Sequence, residues 1–170
     1  MRHDGVVGTS LRKAVVAGAM LVPLAATAAL PAAAEEIIVT VEHVKALDKV
    51  DLPTAGQADF YAQVTIDGKT IKSKFIRRAD DIRPDWVMVV PVGRGRFPVK
   101  LEILDHNVLT KPTLVDINRL PNKRDLDFEV NTRNCTISGF AQQYKCRQVI
   151  TRGGDEKRKA EVQFTVDVRR

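Results

Sequence analysis

Two stretches of this sequence gather oxygen-bearing side chains at points where apolar alternation stops. The first is Asp48-Lys49-Val50-Asp51-Leu52-Pro53-Thr54-Ala55-Gly56-Gln57-Ala58-Asp59, and the second runs from Asp105-His106-Asn107 to Asp116. Hard divalent cations such as calcium take about six to eight oxygens, drawn from several carboxylates together with carbonyls and amides. Acids from two loops at one end of a small domain can build such a cage. Loop aspartates also cap turns and face water without holding an ion, and composition alone does not choose between the two. His106 stands among these acids, but calcium does not favour imidazole, so it reads as a loop residue. His43 falls inside an apolar–polar alternation and reads as a satisfied strand side chain.

Other chemistries lack their residues. The sequence has no Gly-x-Ser-x-Gly elbow, no His-Glu-x-x-His and no glycine loop that could cradle phosphate, so no enzyme activity is expected. The aromatics are few and do not interleave with the basic residues, as a stacking platform for nucleic acid would require. The two cysteines, Cys135 and Cys146, are poorly spaced for zinc. In an oxidising compartment they form a disulfide by default, clamping a local hairpin with roughly 2–3 kcal/mol.

The elements that must position these groups are strands. Ile37, Val39 and Val41 alternate with polar residues. Phe60, Ala62, Val64 and Ile66 do the same and stop at Asp67-Gly68, a hairpin turn signal. Ile71 to Ile76 resumes in strand style, Pro84 interrupts, and Trp86 to Val92 is a short apolar run suited to a sandwich core. Phe97, Val99, Leu101 and Ile103 alternate up to Asp105, and Asp125 to Val130 and Cys135 to Ile137 follow. Gly153-Gly154-Asp155 marks a turn before Val162, Phe164, Val166 and Val168. This pattern predicts about eight strands joined by turn chemistry, hence an all-β antiparallel sandwich or barrel. Asn107 to Lys123, with Pro112 and Pro121, reads as a long polar connection, functional or disordered.

The order of the pieces resembles the C2 domain family. Val50-Asp51, then Gly56-Gln57-Ala58-Asp59-Phe60-Tyr61-Ala62-Gln63-Val64, is similar to that family's first calcium loop leading into its second strand. Ile82-Arg83-Pro84-Asp85-Trp86 resembles its proline-x-tryptophan element. Val99-Lys100-Leu101-Glu102-Ile103-Leu104-Asp105-His106-Asn107 resembles the strand feeding the second calcium loop, which Asp116-Ile117 closes. The resemblance implies an eight-stranded C2-like β-sandwich over residues 35–170. It also implies a calcium site built from Asp51, Asp59, Asp105, Asn107 and Asp116, with the ion bridging to anionic phospholipid. Asn107 where an aspartate is usual, longer loop spacings, and Phe60 in place of a proline imply weak affinity, of the order of the ~10⁻⁴–10⁻³ M that serves extracellular modules. A C2-like scaffold that binds another protein without calcium is the alternative.

Val108, Leu109 and Leu114, apolar residues in an otherwise polar loop, could dip into a membrane while Lys111 meets headgroups, or they could fold back onto the core. Lys69, Lys72, Lys74, Arg77 and Arg78 could hold an anionic headgroup or simply protect a strand edge. The formal charge of +6 is compatible with either role. At the N-terminus, Arg2, Arg12 and Lys13 precede a nearly unbroken apolar run to Leu30, and Ala32-Ala33-Ala34 satisfies the small-x-small cleavage rule. Residues 1–34 therefore read as a cleaved secretory signal, with Glu35 as the new N-terminus. The run is mostly alanine and broken by Pro23, unlike a strongly apolar membrane span. The expected location is periplasmic or secreted, and the alanine-rich signal points to a bacterial source.

Overall fold

Alternation of β-branched and polar residues can bury one face of a strand only if a second sheet covers it, and that is the arrangement found. A computed structural model describes residues 34–50, 57–107 and 110–170. The secretory signal expected over residues 1–34 lies, but for Ala34, outside the described residues. Among these residues there is no helix, and so none long and apolar enough to cross a membrane.

Twelve strands follow one another: β1 (Glu35–Ala46), β2 (Phe60–Ile66), β3 (Lys69–Lys72), β4 (Asp81–Ile82), β5 (Trp86–Val92), β6 (Arg96–Asp105), β7 (Thr113–Val115), β8 (Leu126–Asn131), β9 (Thr136–Ser138), β10 (Tyr144–Lys145), β11 (Ile150–Gly153) and β12 (Ala160–Arg169). The eight segments expected as strands correspond to β1, β2, β3, β5, β6, β8, β9 and β12, and the short strands β4, β7, β10 and β11 add to them. Every pairing between these strands is antiparallel.

One sheet has five strands, with β1 at its centre. β12 pairs along one side of β1 from Glu36↔Arg169 to Ala46↔Ala160, while β5 and then β4 share the other side. A bulge between Val41 and His43 breaks the alternation, so that His43 and Val44 are both buried. The other sheet has seven strands in the order β10-β9-β8-β6-β2-β3, with β7 lying beside the end of β6. The inward faces of both sheets make the core. Ile37, Val39, Val41, Phe164 and Val166 from one sheet meet Phe60, Val64, Leu101, Ile103 and Val130 from the other, all at 0 % exposure.

Local chemistry fixes the register. Asp67 and Gly68 both take positive φ, 49° and 74°, as a two-residue hairpin turn requires, and Ile66↔Lys69 closes that hairpin. Pro91 is tolerated within β5 because β5 is an edge strand. Two expectations change. The strand expected to reach Ile76 ends at Lys72. Beyond it the chain still follows β2, with Ser73 Oγ accepting from the Ala62 amide at 2.9 Å and the Ile76 amide donating to Phe60 at 2.9 Å. The connection from Asn107 to Lys123 is not structureless, because β7 pairs Leu104↔Leu114 and Asp105↔Thr113. This short ladder, which includes Leu114 and Val115, lies on the end of β6 that β8 does not reach.

Candidate functional site

Antiparallel pairing of β2 with β6 sets Phe60 opposite Asp105. The acid that precedes β2 therefore meets the acid that ends β6. Asp105 Oδ1 accepts the Asp59 amide at 2.8 Å, and the His106 amide donates to the Asp59 carbonyl at 2.9 Å. Asp59 Oδ1 accepts the Arg78 amide at 2.8 Å. Asp105 is only 2 % exposed. Asn107 Nδ2 donates to Thr113 Oγ1 at 3.2 Å, which holds the start of the second loop against β7. Asp59, Asp105 and Asn107 thus lie together at one end of the seven-stranded sheet. Asp51 lies outside the described residues.

Asp116 goes elsewhere. Its carboxylate is completely buried; Oδ1 accepts the Asn118 amide at 3.0 Å, while Oδ2 accepts the Asp155 and Glu156 amides at 2.9 and 2.7 Å. Its main chain is also engaged, taking the Ala160 amide at 2.8 Å and donating to the Arg158 carbonyl at 2.9 Å. Amide donors of this kind stabilise a buried carboxylate without a cation. Among the described residues the one group of three ligand-type side chains with atoms within 4.8 Å of one another is Cys135, Cys146 and Asp167, and its two sulfurs are bonded to each other. The described acids do not close a three-carboxylate cage.

The sequence reading missed a third acidic segment at this end. Residues 154–159 connect β11 to β12, and the Arg158 amide donates to Asp48 Oδ2 at 3.1 Å while the Leu47 amide donates to the Lys159 carbonyl at 2.9 Å. Asp48, Asp155 and Glu156 therefore join the loop end of the domain. The signal was present as two acids directly after Gly153-Gly154, which alone reads only as a turn.

Beside Asp59 and Asp105 the surface is aromatic and basic. Phe75, 38 % exposed, stacks on His106 with ring centroids 4.6 Å apart, and the Arg77 guanidinium lies 5.2 Å from the Phe75 centroid. Lys69, Lys72, Lys74, Arg77 and Arg78 are all exposed, along and just beyond edge strand β3. Lys111 is exposed as well, whereas Val108 and Leu109 lie outside the described residues. Burial, then the charge of Glu102, pushes the Tyr61 hydroxyl above its ordinary pKa. A hydrogen bond to Asp125 raises Lys100 in the same direction. Cys135 and Cys146 form the expected disulfide, with Cα atoms 5.3 Å apart.

No protein-family model matches the sequence, and no curated protein matches it. Solved structures do match in shape. One is human GIVD cytosolic phospholipase A2 in complex with methyl gamma-linolenyl fluorophosphonate, at TM-score 0.50 and 11 % identity over 78 % of this chain. The chain spans only 17 % of that enzyme's length. A structure described as a C2 domain matches at TM-score 0.52 and 10 % identity, covering 79 % of this chain and 97 % of the other. The paired C2 domains of extended synaptotagmin 2 match at TM-score 0.58 and 12 % identity over 92 % of this chain and 48 % of theirs. They are also solved calcium-bound, at TM-score 0.51 and 11 % identity over 78 % of this chain and 45 % of theirs. At these identities the likeness is one of fold, and the fold of this chain is that of a C2-like antiparallel β-sandwich.

Proposed function

We propose that this chain is an exported C2-like docking module, not an enzyme, whose loop end binds calcium weakly and contacts an anionic phospholipid surface or another envelope component. The observation that carries this reading is the Phe60↔Asp105 register, which sets Asp59 and Asp105 side by side next to the exposed Phe75 and Arg77 and the half-buried His106. Two carboxylates with Asn107, loop carbonyls and water fit a low-affinity site for a hard cation. Asp116, already holding three amides, serves that end as a brace. Arg77 and the β3 lysines would meet phosphate headgroups, and Lys111 would assist them.

The test is a thermal melt of residues 35–170 in chelator and then across millimolar calcium. A ligand that binds only the native state stabilises it by about 2.7 kcal/mol at a hundredfold excess over Kd. A rise with calcium, smaller with magnesium and abolished in Asp59→Asn/Asp105→Asn, together with calcium-dependent binding to phosphatidylserine vesicles, is the expected result. No rise at any concentration would sink the calcium reading. Export has its own check, because N-terminal sequencing of the mature protein should begin at Glu35.

One observation favours the calcium-independent alternative. Asp59, Asp105 and Asp116 each already accept backbone amides, which is how carboxylates brace loops in a scaffold that binds a protein partner. On that reading the Asp59→Asn/Asp105→Asn variant loses some stability equally with and without calcium, and vesicles are not bound.

A further inference from the structure

β11 is outermost in one sheet and β10 in the other, and the two come together where Arg152 of β11 donates to the Tyr144 hydroxyl of β10. A cleft of about 670 Å³ lies there, within the ~300–1,000 Å³ typical of small-molecule sites. We propose that this cleft binds a small anionic amphiphile, a carboxylate carried on an aromatic or short acyl body. This inference goes beyond the loop-end reading and does not depend on it.

Phe140 and Tyr144 line the cleft, and behind them an aromatic series runs back into the core. Phe164 is fully buried, Phe128 lies 5.7 Å from it, Phe140 lies 5.4 Å from Phe128, and Tyr144 meets Phe140 edge-on at 5.9 Å. The Arg152 guanidinium caps the series, 4.3 Å from the Phe140 centroid and 5.4 Å from that of Tyr144. It donates to the Thr151 carbonyl at 2.8 Å and to the Tyr144 hydroxyl at 3.2 Å and, among the described residues, forms no ion pair. A guanidinium has five N–H donors in a fork that suits a carboxylate, so Arg152 keeps donors for a ligand.

Charge favours an anion. Of the two acids lining the cleft, Asp127 is paired with Lys123 at 2.7 Å, which leaves Glu161 against Arg119 and Arg152. Leu120, 60 % exposed, lines the same cleft and offers apolar surface to the ligand body.

The wall is also fixed in advance. The Cys135–Cys146 disulfide closes the segment that carries Phe140 and Tyr144. Gly139, at φ +108°, lets that segment approach β8 where a Cβ would stand 2.9 Å from Phe128 Cα. A site ordered before binding avoids the entropic cost of ordering it afterwards.

Dansylglycine, a fluorescent carboxylate on an aromatic body, tests the proposal on residues 35–170. Its emission should rise and shift to the blue on titration, octanoate should displace it, and octanol should displace it far less. Arg152→Ala and the surface variant Leu120→Glu should each weaken binding roughly tenfold or more, with the Leu120→Glu melting temperature unchanged. The proposal is overturned if the probe does not bind, if both variants bind it as the wild type does, or if octanol competes as well as octanoate. Asp59→Asn/Asp105→Asn should bind the probe normally, which separates failure of this site from failure of the loop end.

Discussion

Asp116 and Gly154 occupy adjoining space so closely that a Cβ on Gly154 would stand 2.5 Å from the Asp116 carboxyl carbon and closer still to its carbonyl oxygen. The contact joins the exit of β7 to the turn between β11 and β12, and so ties the two sheets together at the loop end. Gly154→Ala should therefore cost about 1–3 kcal/mol, as overpacking does, read as a lower urea midpoint. Asp116→Asn retains one acceptor oxygen for three amide donors, and the stranded buried N–H should cost about 1–3 kcal/mol. The loss should be the same in chelator and in calcium, because Asp116 acts as a brace.

His43 and Asp81 give a prediction with a pH sign. His43 Nε2 lies 2.7 Å from Asp81 Oδ1, and this hydrogen bond holds the Asp81 carboxyl below its ordinary value of 3.8. A carboxyl whose folded pKa is depressed contributes stability that is complete above the unfolded value and is lost as pH falls through the folded one. The stability difference between wild type and Asp81→Asn should thus shrink as pH falls below about 4. Melts across pH 6 to 3 check this; a difference that does not narrow in acid would exclude the pair as its source.

The Cys135–Cys146 bridge spans a sequence separation of 11 residues. In the chain-entropy model a loop of that length adds roughly 2–3 kcal/mol. Cys135→Ser/Cys146→Ser should lose about that much under non-reducing conditions. Wild type treated with a thiol reductant should unfold at the same denaturant concentration as the variant.

The Asp67-Gly68 turn needs positive φ at both residues. Alanine at Gly68 meets no neighbour within 4 Å, so Gly68→Ala isolates the backbone cost, about 1 kcal/mol. A neutral result in equilibrium unfolding would show that this turn is not held in its present conformation.

Much of the sandwich is legible in the residues. Alternation places β1, β2, β6 and β12 because a strand's faces repeat every two residues, and a half-buried sheet must write that period into the chain. The bulge at Val41/His43 and the three-residue β7 escape such reading, since one local period cannot register an extra residue or a pairing set by a distant neighbour. The same division runs through the candidate site. Asp59 and Asp105 flank strands whose pairing is nearly dictated by their pattern, so their meeting could be expected.

Asp116 could not be placed in that way. Its carboxylate turns to amides 39 and 40 residues further along the chain, a choice made when β7 docks against the β11–β12 turn. The cleft beside Arg152 draws its wall from separate hairpins on different sheets, none of which carries a motif by itself. By itself the sequence determined the identity of the longer strands, the hairpin turn, the paired cysteines and the acidic character of one end, because those are local or periodic properties. Only the tertiary structure decided which acids share a site and which are spent on backbone amides, because that depends on contacts between residues far apart in the chain.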